Sequence, residues 1–247
     1  MFFTKRTSGN PDTQTIDEVI GNDPFELLNV NFKSFDLEIK AGEKFEIHYH
    51  GPKYRKPTVE VDHDEMRIKE PDLKEKEIFH WEKSFFKIDV HSSRGKVTIT
   101  VPKETELTEV NLNLASSDVR LSSLKINSLE LESSSGDVDG ENLRIASLDL
   151  SATSGDVAFN RLRLISGDIS VTSGDTRLID SRIEYELSIS TVSGDNLVKN
   201  TQVAEANLHT ISGENQIFGE KKTHGSVGQQ DGSFLRMNTI SGDNRIE

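Results

Sequence analysis

The sequence LDLSATSGDV at residues 148–157 decides the fold, because its Ser-Gly-Asp tripeptide returns along the second half of the chain. Further copies stand at residues 135–137, 173–175, 193–195 and 241–243, with the variants Ser-Ser-Asp at 116–118 and Ser-Gly-Glu at 212–214. The middle residues, 117, 136, 155, 174, 194, 213 and 242, are separated by steps of 19, 19, 19, 20, 19 and 29 residues. A nearly fixed period of this length is typical of repeat proteins whose units stack on one another.

Apolar residues keep a constant place in every copy. The residue five positions before each middle residue is always apolar: Leu112, Leu131, Leu150, Ile169, Ile189, Leu208 and Met237. Alternation with period two on both sides predicts one strand entering and one strand leaving each tripeptide. Two short strands cannot bury an apolar row alone, so each copy must stack on the next. The sequence therefore predicts an all-β fold, a single-stranded parallel β-solenoid (β-helix) with about 19 residues per coil.

The pattern divides the chain into three sections. Residues 1–29 are predicted to form a flexible leader, with one helical turn at 15–20. Residues 30–109 are predicted to form irregular β coils and a cap, including a loop with an aromatic anchor at 70–87. Residues 110–247 are predicted to form the regular solenoid, continuous with the preceding section and interrupted by an insertion at 219–232. Such a rod would end uncapped beyond Asn244: either Asn244, Arg245 and Glu247 blunt the exposed edge, or the ends pair into a homodimer.

The composition excludes several classes of partner. The net charge of −13 argues against nucleic acid and against direct docking on anionic lipid, because both require a basic surface. The chain has no cysteine, which excludes disulfides and thiolate metal sites. No apolar run reaches the about 18 residues that cross a bilayer, so membrane attachment would depend on an anchor outside this sequence.

The acidic residue of the tripeptide is the candidate for metal binding. Stacked coils would place these carboxylates in one column about 4.8 Å apart. The strongest candidates are Asp137, Asp156, Asp175 and Asp195. A divalent cation such as calcium would relieve their repulsion, as in a calcium-dependent β-roll-like module. The preferred interpretation is that these residues form the corners of the coils, with no cofactor.

Residues that break the repeat are the candidates for binding a partner. Two positions before the tripeptide's middle residue, Val192, Ile211 and Ile240 replace the small residues of earlier copies, and stacking would join them into an apolar strip. The insertion at 219–232 carries Lys221, Lys222 and His224 and would leave the rod beside that strip. The alternatives are that a loop covers the strip and that the insertion is an unstructured loop.

Polar residues elsewhere predict structure more than chemistry. Asn196, Asn215 and Asn244 share one position in the last three copies and are expected to form an internal asparagine ladder. The acidic cluster Glu130, Glu132 and Asp149 would be the carboxylate site of a polysaccharide-active β-helix enzyme. His48, His50 and His63 are conceivable zinc ligands, although their spacing fixes no third ligand. No catalytic residues are assigned.

The repeated phrase Leu-x-Leu-x-x-x-Ser-Gly-Asp-Val, as at residues 148–157, resembles the DUF4097-type family of bacterial "putative adhesins" with β-strand repeats. The approach strand at 97–102 and the strand around 35–47 are also similar to that family. The resemblance implies a non-enzymatic binding or scaffolding protein of the cell envelope in a Gram-positive bacterium. It implies a cell-wall component or a protein as partner. It also implies a location outside the cytoplasm if an anchor precedes the repeats, and a cytoplasmic one otherwise.

Overall fold

A computed structural model describes residues 14–72, 94–228 and 232–247, and strands make up nearly all of its regular structure. The N-terminal strands are β1 (Thr15–Gly21), β2 (Leu27–Phe32), β3 (Asp36–Gly42), β4 (Glu46–Pro52), β5 (Thr58–Asp62), β6 (Glu65–Lys69) and β7 (Lys96–Pro102), with a 3-10 helix at Lys53–Arg55. The central strands are β8 (Glu106–Ser116), β9 (Val119–Ser122), β10 (Lys125–Ser135), β11 (Val138–Ser154), β12 (Val157–Ser173), β13 (Thr176–Ile179), β14 (Arg182–Ser193) and β15 (Asn196–Lys199). The last strands are β16 (Glu205–Ser212), β17 (Asn215–Ile217), β18 (Glu220–Lys221), β19 (His224–Ser226), β20 (Phe234–Ser241) and β21 (Asn244–Ile246). The predicted all-β class is confirmed.

In the centre of the molecule, equivalent strands of successive repeats pair side by side and in parallel. Leu131 lies opposite Leu112 on one side and Leu150 on the other, and Leu150 lies opposite Ile169. These side chains are buried, so the apolar position read from the sequence forms the inner wall. The one 20-residue step coincides with a β-bulge between β12 and β14, where the register shifts between Leu164 and Ser166. A bulge accommodates one extra residue without breaking the stack.

The last two repeats are not stacked in the order of the chain. Strand β20 lies between β14 and β16, with Phe234 opposite both Glu186 and Glu205. Strand β21 likewise lies between β15 and β17. The expectation that the rod ends at Asn244 is therefore wrong, since that residue is fully buried and β16 with β17 forms the terminal coil. The end-to-end homodimer stays a prediction, and the coil at that end would be β16 with β17.

The first repeat is also internal, and antiparallel strands close the rod. Strands β2 and β3 pair with β8 and β9 on one side and with β6 and β7 on the other. Antiparallel pairs β4–β7, β1–β4 and β5–β6 lie beyond them. Parallel pairing thus holds along the body but not at this end. The helical turn predicted at 15–20 is wrong, because β-branched Thr15, Ile16, Val19 and Ile20 favour the strand β1.

Parts of the predicted leader and of the predicted aromatic loop lie outside the residues that the structure describes. Residues 1–13 and 73–93 lie outside the described residues, as do 229–231 of the insertion. Within the range assigned to the leader, β1 is paired to β4 and Phe25 is buried. The buried apolar side chains form one cluster that runs from Phe25 to Ile246.

The packing of the core changes along the rod. Aromatic side chains gather near the N-terminal end, where Phe35 contacts both Phe32 and Tyr49 with ring centroids 5.5 Å apart. The narrow central coils are filled mainly by leucine, isoleucine and valine. Phe159 fits among them because Gly140 lies opposite it: a Cβ atom at Gly140 would be 2.2 Å from the ring.

One carboxylate is buried in the N-terminal section. Glu70 forms an ion pair with Arg55 and accepts hydrogen bonds of 2.7 Å from the backbone N–H groups of Lys33 and Ser34. Its side chain is only 5% exposed. Burial raises the pKa of Glu70, but the hydrogen bonds from Ser34, Arg55 and Lys33 outweigh it and hold the pKa below its ordinary value of 4.5.

Candidate functional site

The acidic residues of the Ser-Gly-Asp corners form a ladder of hydrogen bonds. The Oδ1 atom of Asp137 accepts the backbone N–H of Asp156 at 2.9 Å, and Asp156 and Asp175 accept those of Asp175 and Asp195 at the same distance. The ladder begins at Asp36 and continues through Asp195 to Asp243. The aspartates proposed as metal candidates therefore join the corners of neighbouring coils. Among the residues that the structure describes, no three His, Asp or Glu side chains are grouped to hold a metal ion.

Glycine is required at these corners for two reasons. Gly155 has a φ of 117°, in the region that side chains rarely adopt. A Cβ atom there would also lie 2.2 Å from the carbonyl oxygen of Gly136 in the adjacent coil. Close backbone stacking and positive φ thus explain why the middle residue of the Ser-Gly-Asp tripeptide is glycine.

The replacement of aspartate by Glu214 marks the last coil of the ladder. The Glu214 N–H donates to Asp243 at 2.8 Å, so Glu214 receives support from the coil beneath it. As the terminal coil has no further corner above it, the longer side chain turns to Lys221 and Gln216 instead. The hydrogen bonds from Lys221 and Gln216 lower the pKa of Glu214 from its ordinary value.

The three residues of the predicted apolar strip lie together on the surface near this end. Their neighbours Ser193, Ser241 and Ser212 are paired in that order, so Ile240 lies between Val192 and Ile211. Their exposed fractions are 45% for Val192, 49% for Ile240 and 72% for Ile211. No loop covers them in the described part of the chain, and we call them the apolar strip below.

The insertion does not leave the rod as a loop but folds back over the terminal coil. Strand β18 pairs antiparallel with β17, and β19 pairs antiparallel with β16, placing His224 opposite Asn207. Between them the Lys222 N–H donates to the Asn215 carbonyl, and Thr223 accepts the Leu208 N–H at 2.7 Å. We call residues 218–226 the end hairpin. It crosses the open end of the core and shields edges that would otherwise attract another chain.

The charged residues of the insertion border a depression at the end of the rod. Its volume is about 640 Å³, and it is lined by Gly213, Glu214, Asn215, Lys221, Lys222, Thr223 and His224. Lys221 is paired with Glu214 and Lys222 with Glu220, whereas His224 is exposed on β19. The structure thus brings the predicted cationic residues together with the terminal corner.

The other predicted polar residues are dispersed. His48 contacts Asp17 at 2.7 Å and His50 contacts the same carboxylate at 3.6 Å, whereas His63 lies in the β5–β6 turn and contacts Asp62. The histidines therefore do not converge on one site. Glu130, Glu132 and Asp149 are exposed on neighbouring strands, and Glu132 accepts a hydrogen bond from Asn113.

Two features were not read from the sequence. A second corner has residues with positive φ at Ser123, Asn142, Arg161, Asp180 and Asn200, one per central coil. Asparagine and aspartate tolerate this conformation better than most residues, which is the signal that could have revealed it. The exchanged order of the last coils was also missed, although the 29-residue step and the Glu214 substitution both point to it.

Within the described residues, no helix has the length and apolar character needed to cross a membrane.

Stacked strands, hydrogen-bonded acidic corners and closed ends define a β-solenoid-like repeat protein. The family model of DUF4097, the Toastrack family, matches residues 25–244, and the chain belongs to that family. The predicted family is confirmed.

Solved structures share this architecture at low sequence identity. A "putative adhesin" from Bacteroides fragilis matches 96% of this chain and 99% of its own, with 14% identity and a TM-score of 0.51. A "putative adhesin" from Parabacteroides merdae matches 97% and 98%, with 15% identity and a TM-score of 0.50. A "putative lipid binding protein" from Parabacteroides distasonis matches 94% and 97%, with 14% identity and a TM-score of 0.50. The similarity concerns the fold, and a comparison with curated proteins gave no match.

Proposed function

We propose that this protein is a non-enzymatic, adhesin-like binding or scaffolding protein of the cell envelope that acts outside the cytoplasm. The body of its rod would serve as a rigid scaffold, in the form of a single-stranded parallel β-solenoid of about 19 residues per coil. The parallel register of the paired leucines supports this architecture. Its contact surface would be the apolar strip. The family and the names given to its structural neighbours favour such a role over catalysis.

The exposure of the apolar strip carries the proposal. The same column of the surface holds Ala115, Ser134, Thr153 and Thr172 in the earlier coils, which are compatible with water. At the end of the rod it changes to three large aliphatic side chains, each at least 45% exposed. Apolar residues grouped on a surface mark sites of contact with other molecules, because their burial removes apolar area from water.

The edge of the terminal coil indicates what kind of partner would bind. Strand β19 covers β16 only at residues 205–207, with one further bond at Leu208. Residues 209–212, which include Ile211, have no strand on their outer edge in the described ranges. An open edge beside an apolar side chain suits the addition of an extended segment from a partner protein. The partner proposed here is therefore a protein and not a sugar or a lipid.

The test compares two matched triple variants. Val192→Thr, Ile211→Thr and Ile240→Thr together remove the apolar strip, and threonine is chosen because Thr153 and Thr172 occupy the same column. The control variant replaces Val19, Val61 and Ile165, which are 50%, 42% and 47% exposed, by threonine.

Each variant would be immobilised and exposed to envelope extract, and bound proteins would be cross-linked to the rod and their contacts mapped. We expect the strip variant to lose cross-linked partners that the wild type and the control variant retain, with the contacts mapping to residues 209–212. Equal recovery by all three proteins, at unchanged thermal stability, would refute the proposed surface.

The end hairpin needs its own variants. Deleting residues 219–232 would uncover the core, so Lys222→Gln and His224→Gln are better suited, because both side chains are exposed. Retained binding in these variants, together with loss in the strip variant, would exclude Lys222 and His224 from the contact.

A further inference from the structure

Two rows of outward-facing side chains run along the rod near its N-terminal end. The register of β6, β2, β8 and β10 places one residue of each row on each strand. The first row consists of Arg67, Asn29, Asn111 and Glu130, and the second of Lys69, Asn31, Asn113 and Glu132. Both rows have a cation at one end, two amides in the middle and a carboxylate at the other end.

The eight side chains line one depression with a volume of about 350 Å³. The remaining lining residues are Val30, Ile68 and Leu112, so no aromatic ring is present. The cationic and acidic ends are separated by three strand spacings, about 14 Å. A depression of this size is within the range of small-ligand sites.

Several polar groups in the depression lack a partner within the described residues. Lys69 makes no ion pair there, and Glu130 makes neither an ion pair nor a side-chain hydrogen bond. The Oδ1 atom of Asn111 is buried without a hydrogen bond. By contrast, Arg67 and Asn29 both donate to Glu65. A cation and a carboxylate are thus free at the two ends of the depression, with an unpartnered amide oxygen buried between them.

We propose that this depression binds a short extended peptide with free ends. The carboxylate of the peptide would lie at Lys69, and its ammonium group at Glu130 and Glu132, where charge-assisted hydrogen bonds can form. Side-chain amides carry both donors and acceptors, so the asparagine rows would bond the peptide groups between the two ends. About four extended residues span the about 14 Å between the charges.

A peptide fits this chemistry better than a sugar does. The ligand must carry opposite charges at its two ends, and the lining has no ring on which a sugar could stack. The site lies at the opposite end of the rod from the apolar strip, so it does not depend on the function proposed for that surface.

The test uses tetra-alanine as the probe, in four forms: with free ends, acetylated, amidated, and blocked at both ends. Binding to the whole chain would be followed by calorimetry and by NMR titration. Removing one exposed ion pair is expected to weaken binding about two- to fivefold, so blocking either end should have that effect. Blocking both ends should weaken binding further.

Two variants connect each peptide end with one protein group. Lys69→Gln should weaken the peptide with a free carboxylate but not the amidated one. Glu130→Gln should weaken the peptide with a free ammonium group but not the acetylated one. Glu205→Gln, in the terminal coil, is the matched control and should change nothing. The proposal is overturned if tetra-alanine does not bind, if the doubly blocked peptide binds equally well, or if either variant affects all four peptides alike.

Discussion

The asparagine ladder makes the exchanged order of the last coils measurable. The Asn196 Nδ2 donates to the Asn244 Oδ1 at 2.9 Å, and the Asn244 Nδ2 donates to the Asn215 Oδ1 at 2.8 Å. The predicted ladder is confirmed, but Asn244 occupies its middle. Had the coils followed the chain, Asn215 would stand between the other two.

The perturbation is replacement by valine, which fills the same position at Val119, Val138 and Val157. Asn244→Val removes both amide bonds and a third bond, 2.8 Å long, to the His209 carbonyl. Buried polar groups left without a partner cost about 1–3 kcal/mol each. Valine recovers part of this through apolar burial. We expect Asn244→Val to lower the free energy of unfolding by about 2–4 kcal/mol.

The coupling energies between pairs of these asparagines report the order of the coils. Double-mutant cycles in urea should give a coupling of about 1 kcal/mol for Asn196 with Asn244 and for Asn244 with Asn215, since both pairs are in contact. Asn196 and Asn215 are two strand spacings apart, about 9.6 Å. Measured with Asn244→Val already present, their effects should add to within about 0.5 kcal/mol. A direct coupling between Asn196 and Asn215 as large as the other two would refute the coil order.

Three further predictions test the strand order, the corners and the buried carboxylate. In this cysteine-free chain, cysteines at Ser190 and Asn238 should form a disulfide on oxidation, whereas cysteines at Ser190 and His209 should not, because β20 lies between them; a non-reducing gel distinguishes these outcomes. Asp156→Asn keeps an oxygen that can accept the hydrogen bond of the ladder, so its melting temperature should be close to that of the wild type. Asp156→Ala should lower the free energy of unfolding by about 1–2 kcal/mol. If calcium raises the melting temperature of the wild type but not of Asp156→Asn, the carboxylate has a role beyond the corner. The pKa of Glu70 is lower in the folded than in the unfolded chain, so the unfolded chain binds more protons and the free energy of unfolding falls as the pH drops below about 4.5. In urea unfolding, Glu70→Gln should reduce this dependence of the free energy of unfolding on pH. An unchanged dependence would contradict the role of the ion pair.

The local pattern was sufficient for the body of the rod. Alternation around Leu131 and Leu150 defines which side faces inward, and the tripeptide fixes where the chain turns, so the stacked core and the column of aspartates could be read directly. The shared position of Asn196, Asn215 and Asn244 likewise predicted the ladder, although not its order. These features depend on residues whose neighbours lie one period away.

What the sequence left open are contacts between unrelated segments. Leu208 and Met237 are equally suited to the same inner position, so the apolar pattern does not decide which coil is terminal. The N-terminal coil pairs Leu37 with Val119, across 82 residues and with no shared phrase. The peptide-sized depression has the same origin, because Lys69 and Glu132 come from separate parts of the chain and only the register of four strands aligns them.

The intercalated position of β20 and β21 also bears on how the protein is made. On the ribosome, residues 205–217 emerge before residues 234–246, and chains begin to fold from the N-terminal side during synthesis. While residues 234–246 are absent, the earlier coil is the available partner for β14 and β15, and its Leu208 and Asn215 match Ile189 and Asn196 at the 19-residue offset. The native order is reached only when the later segment enters between them. An earlier coil that had already paired with β14 and β15 would have to separate from them for β20 and β21 to take their places.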